Sequence, residues 1–193
     1  LDGAGIRVQQ VIIDQDGDSE VALSTNPLDI MFKDDGPTAG TPLDASGSAT
    51  LDETGGLDSG VVLSIKGAEM FSGGSYGEDG AGSTAYYLSV MSPDTGLYLV
   101  TDQAHLQPLR LVADPGSAVT VNGETYYASW TAYADVVTKS GAGFSISINP
   151  SSGEVRVTQL AALDHPDALN PDDELTLDGA GIRVQQVIID QDG

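Results

Sequence analysis

The sequence predicts an all-β protein, a β-sandwich. Three observations point to it: short segments in which apolar and polar residues alternate, 24 glycines spread among turn residues, and almost no helical periodicity. Many short strands separated by turns at close intervals are typical of sandwiches. No stretch longer than about eight residues repeats its apolar residues at helical spacing, and residues 132–138 are the only weak helical candidate.

The expected strands follow from this alternation, taken in chain order. Residues 5–13 and 20–33 begin the series. Later strands are expected around Val61–Ile65, Leu97–Leu99, Leu109–Leu111, Phe144–Ile148 and Val155–Val157. In the 144–148 segment the residues Phe144, Ile146 and Ile148 would face one side and the intervening serines the other, which indicates a half-buried strand.

One β-hairpin can be predicted with its turn type. Val119–Val121 and Glu124–Tyr127 flank the dipeptide Asn122-Gly123. Both residues of this dipeptide tolerate the positive φ angles of a type I′ turn, whose twist matches that of the paired strands.

The two ends of the chain carry the same seventeen residues. LDGAGIRVQQVIIDQDG forms residues 1–17 and returns letter for letter as residues 177–193, so the offset between the copies is 177 − 1 = 176 residues. One period of this length is enough for a domain with its own core. The repetition predicts a piece of a tandem array, an architecture in which length itself is useful.

A boundary between two repeats is expected at Asp34–Pro42, where prolines and glycines stop strand pairing and stiffen the connection. Residues 1–36 would be the C-terminal strands of one repeat. Residues 37–193 would be the following sandwich repeat without its final strand.

A sandwich that lacks an edge strand exposes unpaired backbone groups. We therefore expect residues 20–33 to pair with the open edge of a body formed by residues 41–193. A neighbouring molecule is the expected partner, which would give a head-to-tail or strand-swapped contact in a crystal with the identical ends close together.

The charge of the chain restricts its partners. Seven lysines and arginines stand against 29 carboxylates, for a net charge of −22. Such a surface repels nucleic acid and anionic membranes, and its self-repulsion opposes a compact fold unless cations neutralise it.

There is no cysteine, which excludes disulfides and Cys-ligated zinc, and no apolar run long enough to span a membrane.

The first carboxylate cluster suggests a calcium loop. Asp14, Asp16 and Asp18 alternate around Gly17, so their oxygens could converge on one ion. The spacing is not that of an EF-hand. Further ligands are expected from Asp34 or Asp35 at the linker and from Glu53 in the next repeat, and Asp190 and Asp192 are the second copy of the first two aspartates.

A second calcium site is expected in the acidic segment 164–174, with ligands from Asp164, Asp167, Asp172 and Asp173. Magnesium fits less well, because it prefers few protein ligands. The alternative is that these carboxylates are solvated turn formers, an interpretation weakened by the small number of cations available to offset them.

Other chemistry has weaker support. His165 lies inside the acidic segment and could join a metal site, while His105 is isolated in the sequence. The letters G-x-S-x-G occur once, at Gly73–Gly77, inside a glycine-rich loop and not between a strand and a helix as a nucleophile elbow requires, and no enzyme is expected. Trp130, with Tyr126, Tyr127 and Tyr133, could form a sugar-stacking platform.

Several motifs in register resemble the long tandem repeats of giant type I-secreted bacterial RTX adhesins. They are LDASGSATLDETGGLDSG at 43–60, GEDGAG at 77–82, LDHPD within 144–173, DQDGDSE at 14–20 and DDGPTA at 34–39. The resemblance covers almost the whole period. It implies an immunoglobulin-like sandwich, secretion to the surface of a Gram-negative cell, and a calcium-stiffened extender that carries a distal ligand-binding region in adhesion and biofilm formation.

The expected function is therefore a structural extender whose partners are neighbouring repeats of the same chain. The alternative is a sandwich whose loops bind a glycan or peptide through calcium. Near-identical repetition favours the extender, since a unique ligand site rarely needs an identical neighbour, although avidity argues the other way.

Overall fold

A computed structural model describes residues 6–54, 56–57, 60–78, 80–102, 104–167, 170, 173–177 and 180–191. Its strands are β1 Gln9–Ile13, β2 Ser19–Leu23, β3 Thr41–Pro42, β4 Val61–Val62, β5 Phe71–Ser72, β6 Ser83–Val90, β7 Arg110–Ala113, β8 Ala118–Val121, β9 Glu124–Tyr127, β10 Ser129–Asp135, β11 Ser140–Ile148, β12 Val155–Gln159 and β13 Ile182–Ile189. Single 3₁₀ turns lie at Gly67–Met70 and Pro115–Ser117. None of the described residues is α-helical, and no helix there could span a membrane.

The chain divides into two compact units, Leu1–Asp35 and Gly36–Gly193. The second unit is an antiparallel β-sandwich, as predicted. One sheet has the strand order β4-β12-β11-β10-β7, the other the order β13-β6-β9-β8, and a small sheet pairs β3 with β5. This arrangement is consistent with an immunoglobulin-like fold.

The core of the sandwich lies between its two sheets. Leu109 and Val155 are almost fully buried, and Phe144, Ile146 and Ile148 of β11 join them as the alternation predicts. From the facing sheet come Tyr86 and Leu88 of β6, with Ile182 and Val184 of β13 packed against them. The weak helical candidate at 132–138 is wrong: its first residues continue β10, and Ala132 is buried opposite Phe144.

The predicted Asn-Gly hairpin is confirmed. Strands β8 and β9 pair in register from Ala118 opposite Tyr127 to Val121 opposite Glu124. Asn122 and Gly123 have φ angles of 51° and 82°, as a type I′ turn requires.

The first unit is built on a single hairpin. Strand β1 pairs with β2 from Gln9 opposite Leu23 to Ile13 opposite Ser19. The expected strand continuing through Ile30–Phe32 is wrong, because those residues form no strand and remain exposed. Within this chain β2 pairs with β1, since a short turn closes at a much smaller entropic cost than a distant edge. Pairing with a neighbouring molecule, and the assignment of this unit to the end of one repeat, stay predictions.

Candidate metal centre

The turn between β1 and β2 brings three carboxylates together. Ligand oxygens of Asp14, Asp16 and Asp18 all lie within 4.8 Å of one another, and all three side chains are exposed. This is the only such group of three or more metal-ligand side chains among the described residues.

Backbone amides hold the first of these carboxylates in place. Asp14 Oδ1 accepts the N–H groups of Gly17, at 3.1 Å, and Asp18, at 2.9 Å. The N–H of Asp14 donates to the carbonyl of Asp18 at 3.0 Å, which closes the turn, and Gly17 adopts a φ of 101° that disfavours a side chain. Backbone hydrogen bonds and the Gly17 conformation thus shape this loop.

The same contacts set the ionisation of Asp14. A hydrogen bond with the Asp16 side chain, followed by the backbone N–H groups of Asp18, Gly17 and Asp16, holds the pKa of the Asp14 carboxyl below its ordinary value. A lowered pKa favours the charged form, which is the form that coordinates a hard cation.

The two linker carboxylates share a local hydrogen bond. Asp34 and Asp35 are exposed, and the N–H of Asp35 donates to Asp34 Oδ1 at 3.1 Å. Their membership of the first site stays a prediction.

The sandwich places Glu53 beside residues of the second acidic segment. Glu53 Oε1 accepts the N–H of Leu163, at 3.2 Å, and a hydrogen bond from the Gln159 side-chain amide. His165 Nε2 lies 4.0 Å from the same oxygen. The expectation that Glu53 also completes the first site stays a prediction.

Gln159 belongs to this cluster but was not predicted from the sequence. It is buried on β12, and its Oε1 has no hydrogen-bond partner among the described residues. The signal was present in the sequence: Gln159 continues the inward series Val155, Val157, so a polar group at a core position required a partner. Its partner, 106 residues away, could not be identified from spacing.

Asp164 is engaged by the other histidine. His105 Nε2 bonds to Asp164 Oδ2, and the His105 ring packs on Tyr98 with ring centroids 4.5 Å apart. The N–H of Asp164 donates to the Tyr98 carbonyl at 2.9 Å. This contact joins two loops, and sequence spacing did not predict it.

Other described residues of the acidic segment form hydrogen bonds with one another. The N–H of Asp167 donates to the Asp173 carboxylate at 3.0 Å, and His165 Nδ1 donates to the Asp173 carbonyl at 2.8 Å. Asp172, like Asp192 of the duplicated turn, lies outside the described residues. The second calcium site therefore stays a prediction. Asp190, the copy of Asp14, is buried in the sandwich unit.

Several aspartates elsewhere are turn formers, as the alternative interpretation holds. Asp135 Oδ1 accepts the N–H groups of Val137 and Thr138, Asp114 Oδ1 accepts that of Gly116, and Asp52 Oδ1 accepts that of Thr54. Asp14 differs from these three in having two further carboxylates within reach of the same ion.

The aromatic residues are used mainly for packing. Trp130 packs against the core with its ring edge-on to Tyr127, at a centroid distance of 5.7 Å. Tyr126 stacks against Tyr87 at 5.5 Å. These rings pair with one another, which weakens the case for an open sugar platform.

Comparison with known proteins yields one family. Residues 48–193, which are more than half of the chain, match the family described as Domain of unknown function (DUF5801). No curated protein matches the chain, and no solved structure matches it.

Proposed function

The chain belongs to the DUF5801 family, and we propose that it is a spacer: a β-sandwich repeat of an extracellular tandem array, stiffened by calcium. The observation that carries this proposal is the identity of residues 1–17 with 177–193. Repetition of the whole 176-residue period would add length with each copy but no new ligand site. By the resemblance to RTX adhesins, the array would hold a ligand-binding region away from the bacterial surface.

Calcium is proposed as the stiffening ion because of the charge and the turn together. A net charge of −22 repels itself, and bound divalent cations reduce that repulsion. The turn of Asp14, Asp16 and Asp18 offers three oxygens in one small volume, and backbone hydrogen bonds hold the Asp14 carboxylate. Calcium takes six to eight oxygen ligands in flexible geometry, so carbonyls, waters or the Asp34–Asp35 pair would complete its shell.

Calorimetric titration of calcium into the chelator-treated protein tests the ion. We expect at least one site in the parent and a roughly tenfold or greater loss of affinity at that site in Asp16→Asn, because ligand charge tunes calcium affinity. Asp135→Asn is the matched control, since it removes the same charge from an exposed turn without a carboxylate cluster. Equal affinities in parent and Asp16→Asn would refute calcium binding at this turn.

The spacer role is tested separately by X-ray scattering from two and three tandem copies of the 176-residue period. With calcium, the maximum dimension should grow by a constant step per copy, and chelator should shorten it.

A glycan array with and without calcium tests the rival binding module. Calcium-dependent glycan binding by the single chain would favour that rival.

A further inference from the structure

One sequence forms two different strand pairings in this molecule. IRVQQVII occupies residues 6–13 and again residues 182–189. In the first unit its strand β1 pairs with β2, whereas in the sandwich its strand β13 pairs with β6. The edge that each copy uses can be read from the backbone hydrogen bonds.

In the first unit, the even-numbered residues of IRVQQVII direct their backbone N–H and carbonyl groups toward β2. Asp14 N–H donates to the Asp18 carbonyl at 3.0 Å, and Ser24 N–H donates to the Val8 carbonyl at 2.8 Å. Opposed residues in an antiparallel pair alternate between hydrogen-bonded and non-hydrogen-bonded positions. Gln10, opposite Ala22, therefore lies at a hydrogen-bonded position.

In the sandwich, the even-numbered residues of the same sequence direct their backbone N–H and carbonyl groups away from the paired strand β6. Gln186, which corresponds to Gln10, stands opposite Tyr86, and the N–H of Tyr86 donates to the Pro150 carbonyl at 2.9 Å. Because Tyr86 turns its N–H away from β13, the Tyr86–Gln186 pair is a non-hydrogen-bonded one. The backbone N–H and carbonyl of Gln186 therefore face the side of β13 opposite to β6.

That side carries no strand. β13 ends its sheet, and within the described part of the chain no backbone group bonds to the main-chain N–H or carbonyl of Val184, Gln186 or Ile188 there. The nearby Gly40 N–H donates to the Gln186 side-chain Oε1 at 2.7 Å and leaves those main-chain groups open. The open edge of β13 is thus the edge that the identical sequence in β1 uses to bind β2.

We propose that the open edge of β13 binds residues Ser19–Leu23 of a second copy of this chain. The register is that of the β1–β2 pair moved by 176 residues: Leu23 opposite Gln185, Ala22 opposite Gln186 and Glu20 opposite Ile188. Each molecule then offers one donor strand and one acceptor edge, so the association runs head to tail.

The hairpin that must open for this exchange is weakly held. Val11, Val21 and Leu23 are each more than half exposed. An isolated two-stranded hairpin is marginally stable in water, whereas a strand added to an existing sheet gains a preformed template. The inference depends neither on calcium nor on the spacer function.

Engineered disulfides test the register, because the chain has no cysteine of its own. In the proposed pair Leu23 and Gln185 occupy a non-hydrogen-bonded position, where Cβ atoms lie close enough for a disulfide. The matched control is Gln185→Cys with Ala22→Cys, because the neighbouring residue points to the other face of the sheet.

Under mild oxidation, the Leu23→Cys/Gln185→Cys variant should form disulfide-linked dimers and higher oligomers that a reductant dissociates. Their yield should be at least tenfold that of the control variant. Adding Ile188→Pro should abolish them while the sandwich keeps its cooperative unfolding, because proline removes an N–H on the open edge only. Equal cross-linking in both pairs, no cross-linking, or a 23–185 bond within one chain by mass spectrometry would each overturn the proposal.

Discussion

At the scale of single residues, the aspartates of this chain act first on their own turns. Asp14 and Asp135 each use one carboxylate oxygen to accept two backbone N–H groups. Such bonds fix the side chain and favour its charged form. A carboxylate fixed in this way can coordinate an ion only where its neighbours also converge, as they do at Asp14.

Removing one hydroxyl should shift a turn carboxylate. The Thr138 side chain, then the N–H groups of Thr138 and Val137, hold the pKa of the Asp135 carboxyl below its ordinary value. In Thr138→Val we expect that pKa to rise toward the ordinary value, measured by carboxyl-carbon NMR titration. Thr120→Val, on the distant β8–β9 hairpin, should leave it unchanged.

The sign of the stability effect follows from the lowered pKa of Asp135. A carboxyl whose pKa is lower in the folded state stabilises the fold above its unfolded pKa, and this contribution is lost as the pH falls through the folded pKa. Thr138→Val should therefore reduce stability at neutral pH and flatten its dependence on acid. An unchanged titration of Asp135 would show that the hydroxyl does not hold the carboxylate.

Two leucines, one buried and one exposed, allow the contribution of core packing to the unfolding free energy to be measured. Leu109 is fully buried, whereas Leu106 is about four-fifths exposed. Leu109→Ala should cost about 2–5 kcal/mol of unfolding free energy, because it removes apolar contact and leaves a cavity. Leu106→Ala should change it by less than about 0.5 kcal/mol. Urea unfolding measures both, and similar losses would mean that Leu109 is not a core residue.

At the scale of elements, turn chemistry decides where strands pair. The Asn122-Gly123 turn fixes the β8–β9 register, and the Asp14–Asp18 turn fixes that of β1 and β2. Both turns rely on a glycine with positive φ. Among the described residues, the strands joined by the second turn form a sheet of two strands, and Val11, Val21 and Leu23 remain more than half exposed.

Gly123→Ala tests the backbone cost of one such turn. An added Cβ would meet no atom within 4 Å, so the expected loss of about 1–2 kcal/mol comes from the positive φ alone. Gly36→Ala is the control, with equally open space and no positive φ. Equal stability of the two variants in urea would contradict the type I′ assignment.

At the scale of the whole molecule, identical residues have different environments. Ile182 and Val184 pack against the sandwich core, whereas their copies Ile6 and Val8 are at least half exposed. Sequence alone therefore does not determine the stability of this segment, because burial comes from the strands beside it.

Amide hydrogen exchange should separate the two copies. We expect the Val187 N–H, which lies opposite Ala85 at a hydrogen-bonded position, to exchange at least tenfold more slowly than the Ile12 N–H of β1. The Gln186 and Ile188 amides should exchange faster than Val187, because they face the open edge. NMR resolves all four, and uniform rates along β13 would contradict the edge assignment.

Much of the fold was accessible from sequence alone. Alternation at 144–148 and 155–157 predicted inward residues that are buried, and Asn122-Gly123 predicted a hairpin that forms, because these signals depend on neighbours along the chain. The convergence of Asp14, Asp16 and Asp18 was predictable for the same reason, since one short turn holds all three.

The sequence by itself determined the all-β class, the acidic turn and the 176-residue offset between the two identical segments, because each is a local pattern or a literal repetition. Only the tertiary structure decided that Glu53 meets Gln159 and that His105 meets Asp164. Such contacts join residues far apart in the chain, and their geometry depends on how whole sheets pack. The open edge of β13 belongs with them, because a strand's free side exists only once its other side is paired.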